Sequence, residues 1–242
     1  MHYHLRKKQL GTLLCAAFSL QPALAFNGDD AAIRVACPHF AAWQDQQRAL
    51  RQIQAAKAPK PVAPVASNPA LREELRRMAE EDQAVRRDMS PSPNENQISK
   101  LLKTDARNLA RIKAIVKRWG FPLNTLVGDD GVAAAFLLVQ HASDKAFQAQ
   151  VLRQLAPRVK TGHISGDQFA LLTDRVLVEQ GKPQIYGTQL NGTEGGELKL
   201  APIEAPQHVD RRRKDMGMPP LSDYLCVVKS AYAAPPPANN TQ

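Results

Sequence analysis

Between residues 70 and 180 apolar side chains recur three or four positions apart, the spacing that lays them along one side of an α-helix. Leu71, Leu75, Met78, Ala79 and Val85 mark a first helix, opened by Asn68 as N-cap and Pro69 in the first turn and running to about Met89. Leu101, Leu102, Leu109, Ile112, Ile115 and Val116 mark a second over residues 98–119, which Gly120 and Pro122 stop. A turn is expected over 127–131. Residues 132–142 are apolar almost all round, the mark of a central buried helix. Two further helices are predicted over 144–161 and 165–180, joined by a short turn at Gly162.

The period then changes. Residues 184–190 and 197–203 read as strands on either side of a glycine-rich turn at 191–196. Pro206 opens a basic amphipathic helix ending near Gly217, and a last short helix is expected over 221–228. At the other end, residues 30–57 read as helical, broken or kinked at Pro38. Three prolines (Pro59, Pro61 and Pro64) make 58–67 a semi-extended linker. The proline-rich residues 233–242 are expected to be disordered. The expected fold class is mainly α with one β-hairpin near 184–203. It is a compact multi-helix domain over 68–232, following a helical segment at 26–57.

The first 25 residues do not belong to that pattern. Arg6, Lys7 and Lys8 precede an apolar stretch from Leu10 to Leu20, and Ala23 and Ala25 supply small residues at the cleavage positions. Charge, short apolar core and cleavage site in this order describe a secretory signal peptide, with cleavage before Phe26. Cys15 lies in mid-core behind the bulky Leu14, which argues against a lipoprotein signal. The expected location is therefore periplasmic or secreted. No later apolar run reaches membrane-spanning length.

Cleavage changes the reading of charge and of cysteine. Loss of three basic residues lowers the formal net charge from +9 to +6. Cys37 and Cys226 remain, and an oxidising compartment favours a disulfide between them over two separate thiols. The densest basic run, Arg211 to Lys214, is read as a solvated helix face. Aromatic residues make up only 5% of the chain, too few for base-stacking platforms, and export also argues against a nucleic-acid partner. His39, His141, His163 and His208 are scattered, with no metal-ligand spacing, and no phosphate-cradling or nucleophile-elbow motif appears. No cofactor or metal is expected.

Polar residues interrupt apolar surroundings in three places. Gln140 and His141 end the apolar helix, and Asp174 and Arg175 sit among Leu171, Leu172, Val176 and Leu177. In residues 184–189, Gln184, Tyr186 and Thr188 share one strand face, with Gln189 on the other and Gly187 permitting close approach. His141, Asp174 and Tyr186 are the candidate catalytic groups: a proton carrier near neutral pH, a base or histidine-orienting carboxylate, and a substrate-orienting phenol. Arg175, Gln140, Gln184, Thr188 and Gln189 are candidate ligand-binding groups, with Arg175 able to clamp a carboxylate or phosphate.

Four segments in order, residues 78–83 (MAEEDQ), 139–142 (VQHA), 172–176 (LTDRV) and 182–189 (KPQIYGTQ), resemble an uncharacterised bacterial domain-of-unknown-function family. The likeness covers roughly residues 70–226, including the turn Trp119-Gly120-Phe121-Pro122. The resemblance implies that Asp82, Gln83, His141, Asp174, Arg175, Tyr186 and Gln189 belong to the family signature. It implies no activity. Two functions follow from these residues. One is an enzyme or small-ligand binder acting on a polar envelope substrate, hydrolase- or transferase-like, with the polar side chains converging. The other is an interaction module, such as an inhibitor or immunity-type partner of another exported protein, presenting an exposed patch on the hairpin or last helices.

Overall fold

The computed structural model describes residues 31–57, 65–90, 93–159, 161–192 and 198–233. The predicted signal peptide, most of the predicted linker, the hairpin tip and nearly all of the C-terminal tail lie outside them. Pro38, which has no amide to donate, marks the boundary between α1 (Ala31–Ala36) and α2 (Pro38–Lys57). Asn68 accepts the Leu71 amide at 3.0 Å and opens α3 (Pro69–Arg87). A reciprocal capping box between Asn94 and Gln97 starts α4 (Glu95–Trp119) three residues before its first apolar position. Gly120 ends it in the left-handed region, at φ 70°.

Next comes α5 (Asn124–His141), which includes the segment expected to be a turn. Only Gly128, at φ 72° and ψ 168°, leaves helical geometry, so the glycine produces a kink rather than a loop. α3 lies along α5, and α4 packs on both. Leu75, Ile112, Val127 and Val139 are completely buried between them. Phe147, Val151 and Leu155 of α6 (Lys145–Val159) and Leu172 of α7 (Gly166–Glu179) extend the same core. Each such side chain contributes roughly 1.5–3 kcal/mol by leaving water.

The hairpin is present but short. β1 (Leu190–Gly192) pairs antiparallel with β2 (Leu198–Leu200), with Leu190 opposite Leu200. Residues 184–189 are not a strand. Their sole ladder feature is a parallel bridge from Gln184 to Ile203, and Gly187 at φ 73° breaks the extended run. A 3-10 turn (Pro206–His208), α8 (Val209–Asp215) and α9 (Leu221–Ala233) complete the chain. The last helix runs beyond its predicted end at residue 228.

Cys37 and Cys226 form a disulfide that ties the α1–α2 junction to α9 across 189 residues. Around it Phe40, Val227, Ile33 and Trp43 make a second, smaller apolar cluster. Among the described residues no helix is long and apolar enough to cross a membrane.

Candidate functional site

The apolar stripe of α3 continues into charge. Leu75, Met78 and Ala79 are followed on the same buried face by Asp82, and Arg86 lies one turn further on. His141, the last residue of α5, and Asp105 of α4 meet them. His141 Nδ1 forms a short hydrogen bond with Asp82 Oδ2. Arg86 Nε lies 3.2 Å from Asp82 Oδ2 and 2.9 Å from His141 Nδ1. Its terminal nitrogen donates to Asp82 Oδ1 at 3.2 Å and to Asp105 Oδ1 at 2.6 Å. Gln83 Nε2 adds a contact to Asp82 Oδ2 at 3.3 Å. The side chains of Asp82, His141 and Arg86 are 1%, 2% and 6% exposed, so water screens this network little.

The protons in this cluster can be assigned. Burial drags the His141 imidazole down to about 4, against the pull of Asp82, and the Arg86 and Arg175 charges lower it further. The ring is neutral at pH 7. Burial on its own raises the Asp82 carboxyl, but His141 and Arg86 outweigh it and hold the group below its ordinary value. Asp105 is pushed up to about 6 by burial and by the Asp82 charge, with Arg86 opposing. Nδ1 cannot both accept from Arg86 and donate to Asp82. With Asp82 ionised, the Nδ1–H tautomer gives the carboxylate a ring donor and leaves Arg86 Nε to serve the carboxylate too. That tautomer leaves a lone pair on His141 Nε2, a buried atom with no hydrogen-bond partner among the described residues.

Neighbouring carbonyls at the end of α5 are well served. Gln148 Nε2 donates to Val139 O at 3.0 Å and Gln140 O at 3.1 Å, and Arg175 donates to Gln140 O at 2.7 Å. A guanidinium at a helix C-terminus also complements the helix dipole. The Gln140 side chain is different: both polar atoms are buried without a partner among the described residues, as are both of Asn108 on α4.

Asp174 belongs to another network. Its Oδ1 accepts the Ile185 and Tyr186 amides at 2.7 and 3.0 Å. Its Oδ2 accepts the Thr188 amide and hydroxyl, both at 2.9 Å. A protonated carboxyl would bring a hydrogen into this set of donors, so the group is ionised even though burial pushes it up. The carbonyls of the same loop have cationic partners. Arg212 Nε donates to Ile185 O at 2.8 Å and Arg213 to Tyr186 O at 2.7 Å. Gln184, fully buried, bridges Gln189 O and Ala201 O through Nε2 and accepts the Gln189 amide through Oε1.

The predicted site residues therefore divide. Asp82, Gln83 and His141 meet, with Gln140 and Arg175 beside them. Asp174, Gln184, Tyr186, Thr188 and Gln189 form the loop network on the other side of Arg175. Asp174 does not orient His141; Asp82 does. Tyr186 packs with Ala170 and Met218. Arg86, Asp105 and Arg213 escaped the sequence reading. For Arg86 a signal existed, an Asp–Arg pair at i,i+4 continuing an apolar stripe. Arg213 was hidden in a basic run read as solvated, yet it is 0% exposed.

A surface cleft of about 610 Å³ lies elsewhere, at the Trp119–Phe121 turn and the end of α6, and includes none of these residues. Among the described residues no three His, Cys, Asp or Glu side chains are grouped to hold a metal ion.

The fold is thus a helical domain with a short hairpin, and its described residues include buried polar networks around Asp82–His141 and around Asp174. Residues 69–235 match a family of unknown function, DUF6624, and the chain belongs to that family. No curated protein and no solved structure matches the chain.

Proposed function

We propose that this is an exported protein whose Asp82–His141 pair forms a small-ligand or catalytic site, hydrolase- or transferase-like, for a polar envelope substrate. The observation that carries the reading is the His141 Nε2 lone pair, buried and unpartnered while Nδ1 is held by Asp82. An imidazole held this way serves as a general base toward a hydroxyl that reaches Nε2. Nε2 takes the proton of a water or hydroxyl as its oxygen bonds to the electrophilic centre, and then returns that proton to the leaving group. Asp82 stabilises the transient imidazolium, and Arg86 keeps Asp82 in place. The side-chain amides of Gln140 and Asn108 supply donors and acceptors for an uncharged polar substrate. The signal-like segment at residues 1–25 and the Cys37–Cys226 disulfide support export.

His141→Gln and Asp82→Asn test the site. Turnover of ester, amide and glycan substrates of the envelope, and thermal shifts with the same compounds, are measured beside circular dichroism. The reading requires at least a tenfold loss of turnover or binding in both variants with the helical signal retained. If both unfold and the parent protein responds to no compound, the cluster is scaffolding. Export is tested separately: the protein recovered from an envelope fraction must begin at Phe26.

One observation favours an interaction module instead, on the first two helices rather than on the hairpin or last helices where the patch is expected from the sequence. Val35, Leu50 and Ile53 on α1 and α2 are 82%, 45% and 52% exposed. In that case Leu50→Asp with Ile53→Asp abolishes capture of an envelope protein, while His141→Gln leaves it intact.

A further inference from the structure

The turn Trp119-Gly120-Phe121-Pro122 plays no part in either polar network, yet it borders the cleft of about 610 Å³. That volume lies within the usual range for small-molecule sites. Its walls separate by chemistry. Trp119, Phe121, Leu126 and Pro157 supply apolar surface, and Trp119 remains 44% exposed although burial of an indole is strongly favourable. The polar groups are donors. Gln154 spends Oε1 on the Phe121 amide at 2.9 Å, which leaves its Nε2 without an acceptor among the described residues. Arg158 is exposed on the wall, and Arg118 lies 4.7 Å from the centre of the Trp119 ring. No carboxylate is among the described residues that line the cleft.

An apolar wall with an unspent amide donor and guanidinium charge, unopposed by any acidic lining group, selects one kind of guest. We propose that this cleft is a second binding site, separate from the Asp82–His141 cluster, for a small organic anion with an apolar body and one carboxylate. The apolar body lies against Trp119 and Phe121. The carboxylate is held by Arg158 and Gln154 Nε2.

The chain has two tryptophans, so Trp43→Phe leaves Trp119 as the sole reporter of the cleft. In that protein octanoate serves as the probe with a plain acyl chain and N-acetylleucine as the probe with a peptide-like end. Octanamide, octylamine and acetate serve as controls. Saturable change in Trp119 emission is expected with at least one of the two acids, and which acid binds tighter identifies the source of the anion. Octylamine and acetate produce none. Arg158→Gln and Gln154→Glu each weaken binding at least tenfold. Gln154→Glu keeps the acceptor for the Phe121 amide, so its effect reports the lost donor and added charge rather than a lost turn. The proposal is overturned if neither acid gives a saturable change. It also falls if octanamide binds as tightly as octanoate, or if both variants bind like the parent.

Discussion

Asp174 accepts both the backbone amide and the hydroxyl of Thr188, each at 2.9 Å, through a single carboxylate oxygen. With the Ile185 and Tyr186 amides on its other oxygen, one buried carboxylate replaces the ladder that a strand would have supplied. Asp174→Asn turns one of these acceptors into a donor facing donors. Leaving a buried donor unsatisfied costs about 1–3 kcal/mol, and this variant strands more than one, so it is expected to be among the most damaging in the domain. Urea unfolding measures the loss, and limited proteolysis locates it: cleavage should appear first at 185–189. A midpoint equal to the parent's would show that the carboxylate does not hold the loop.

Arg213 completes the same loop from the carbonyl side. It donates to Tyr186 O at 2.7 Å and Pro219 O at 2.6 Å, with its guanidinium 4.8 Å from the centre of the Tyr224 ring. Burial lowers it to about 10, which still leaves it charged at neutral pH. Arg213→Lys preserves charge but loses the planar fork that reaches two carbonyls at once. A loss of about 2 kcal/mol or more is expected, against less than about 0.5 for Arg211→Ala on the exposed side of the same helix. Equal effects of the two in thermal unfolding would mean that charge, not the fork, matters.

Two glycines with nearly the same positive φ separate strain from space. Gly187 has φ 73°, and a Cβ there would meet Leu221 Cδ1 at 2.8 Å and Ile203 Cδ1 at 3.0 Å. Gly181 has φ 72° and nothing within 4 Å. Alanine at Gly181 therefore carries only the left-handed penalty, about 1–2 kcal/mol. Alanine at Gly187 adds overpacking of roughly 1–3 kcal/mol. The difference between their urea midpoints reports the crowding against Leu221 and Ile203, and it should shrink when Leu221→Ala opens the space on the α9 side.

How much of this was legible depended on whether a feature was local. Apolar periodicity located α3 to α7 because a helix writes its buried face into every third or fourth residue. The segment 127–131 misled, since Gly128 and Gly131 look like a turn while costing only a kink. Residues 184–189 misled for a related reason. Gln184, Tyr186 and Thr188 alternate as a strand would, but the backbone between them is held by a carboxylate and two arginines, which leave no periodic trace. Gln140, His141, Asp174 and Arg175 were identifiable as polar groups in apolar surroundings. Their partners were not, because His141 meets Asp82 from 59 residues away, by helix packing. Arg86 and Arg213 sit in basic pairs and runs whose ordinary fate is solvent.

The histidine network makes a pH prediction in which two groups act with opposite signs. The unfolded chain protonates His141 near 6.5, whereas the folded imidazole resists until about 4. Stability is therefore lost as pH falls through that window, by at most about 3.5 kcal/mol at about 1.4 kcal/mol per pKa unit. Asp105 does the reverse. Its folded carboxyl takes a proton near 6 and its unfolded one near 3.8, so its contribution is present in full below 3.8 and is lost as pH rises through 6. Asp82, held below its ordinary value, contributes stability above that value and loses it at lower pH. Between pH 6 and 4 the first two contributions nearly cancel, and the parent protein should change little. Each single variant exposes the other group. Asp105→Asn should become steadily less stable from pH 6.5 downward, and His141→Gln should gain stability over the same range. Urea midpoints at pH 7, 6, 5 and 4.5 decide it. Parallel slopes for the parent and His141→Gln would show that the imidazole already titrates in the folded state. It would then not be the neutral base with a free Nε2 that the Asp82 contact implies.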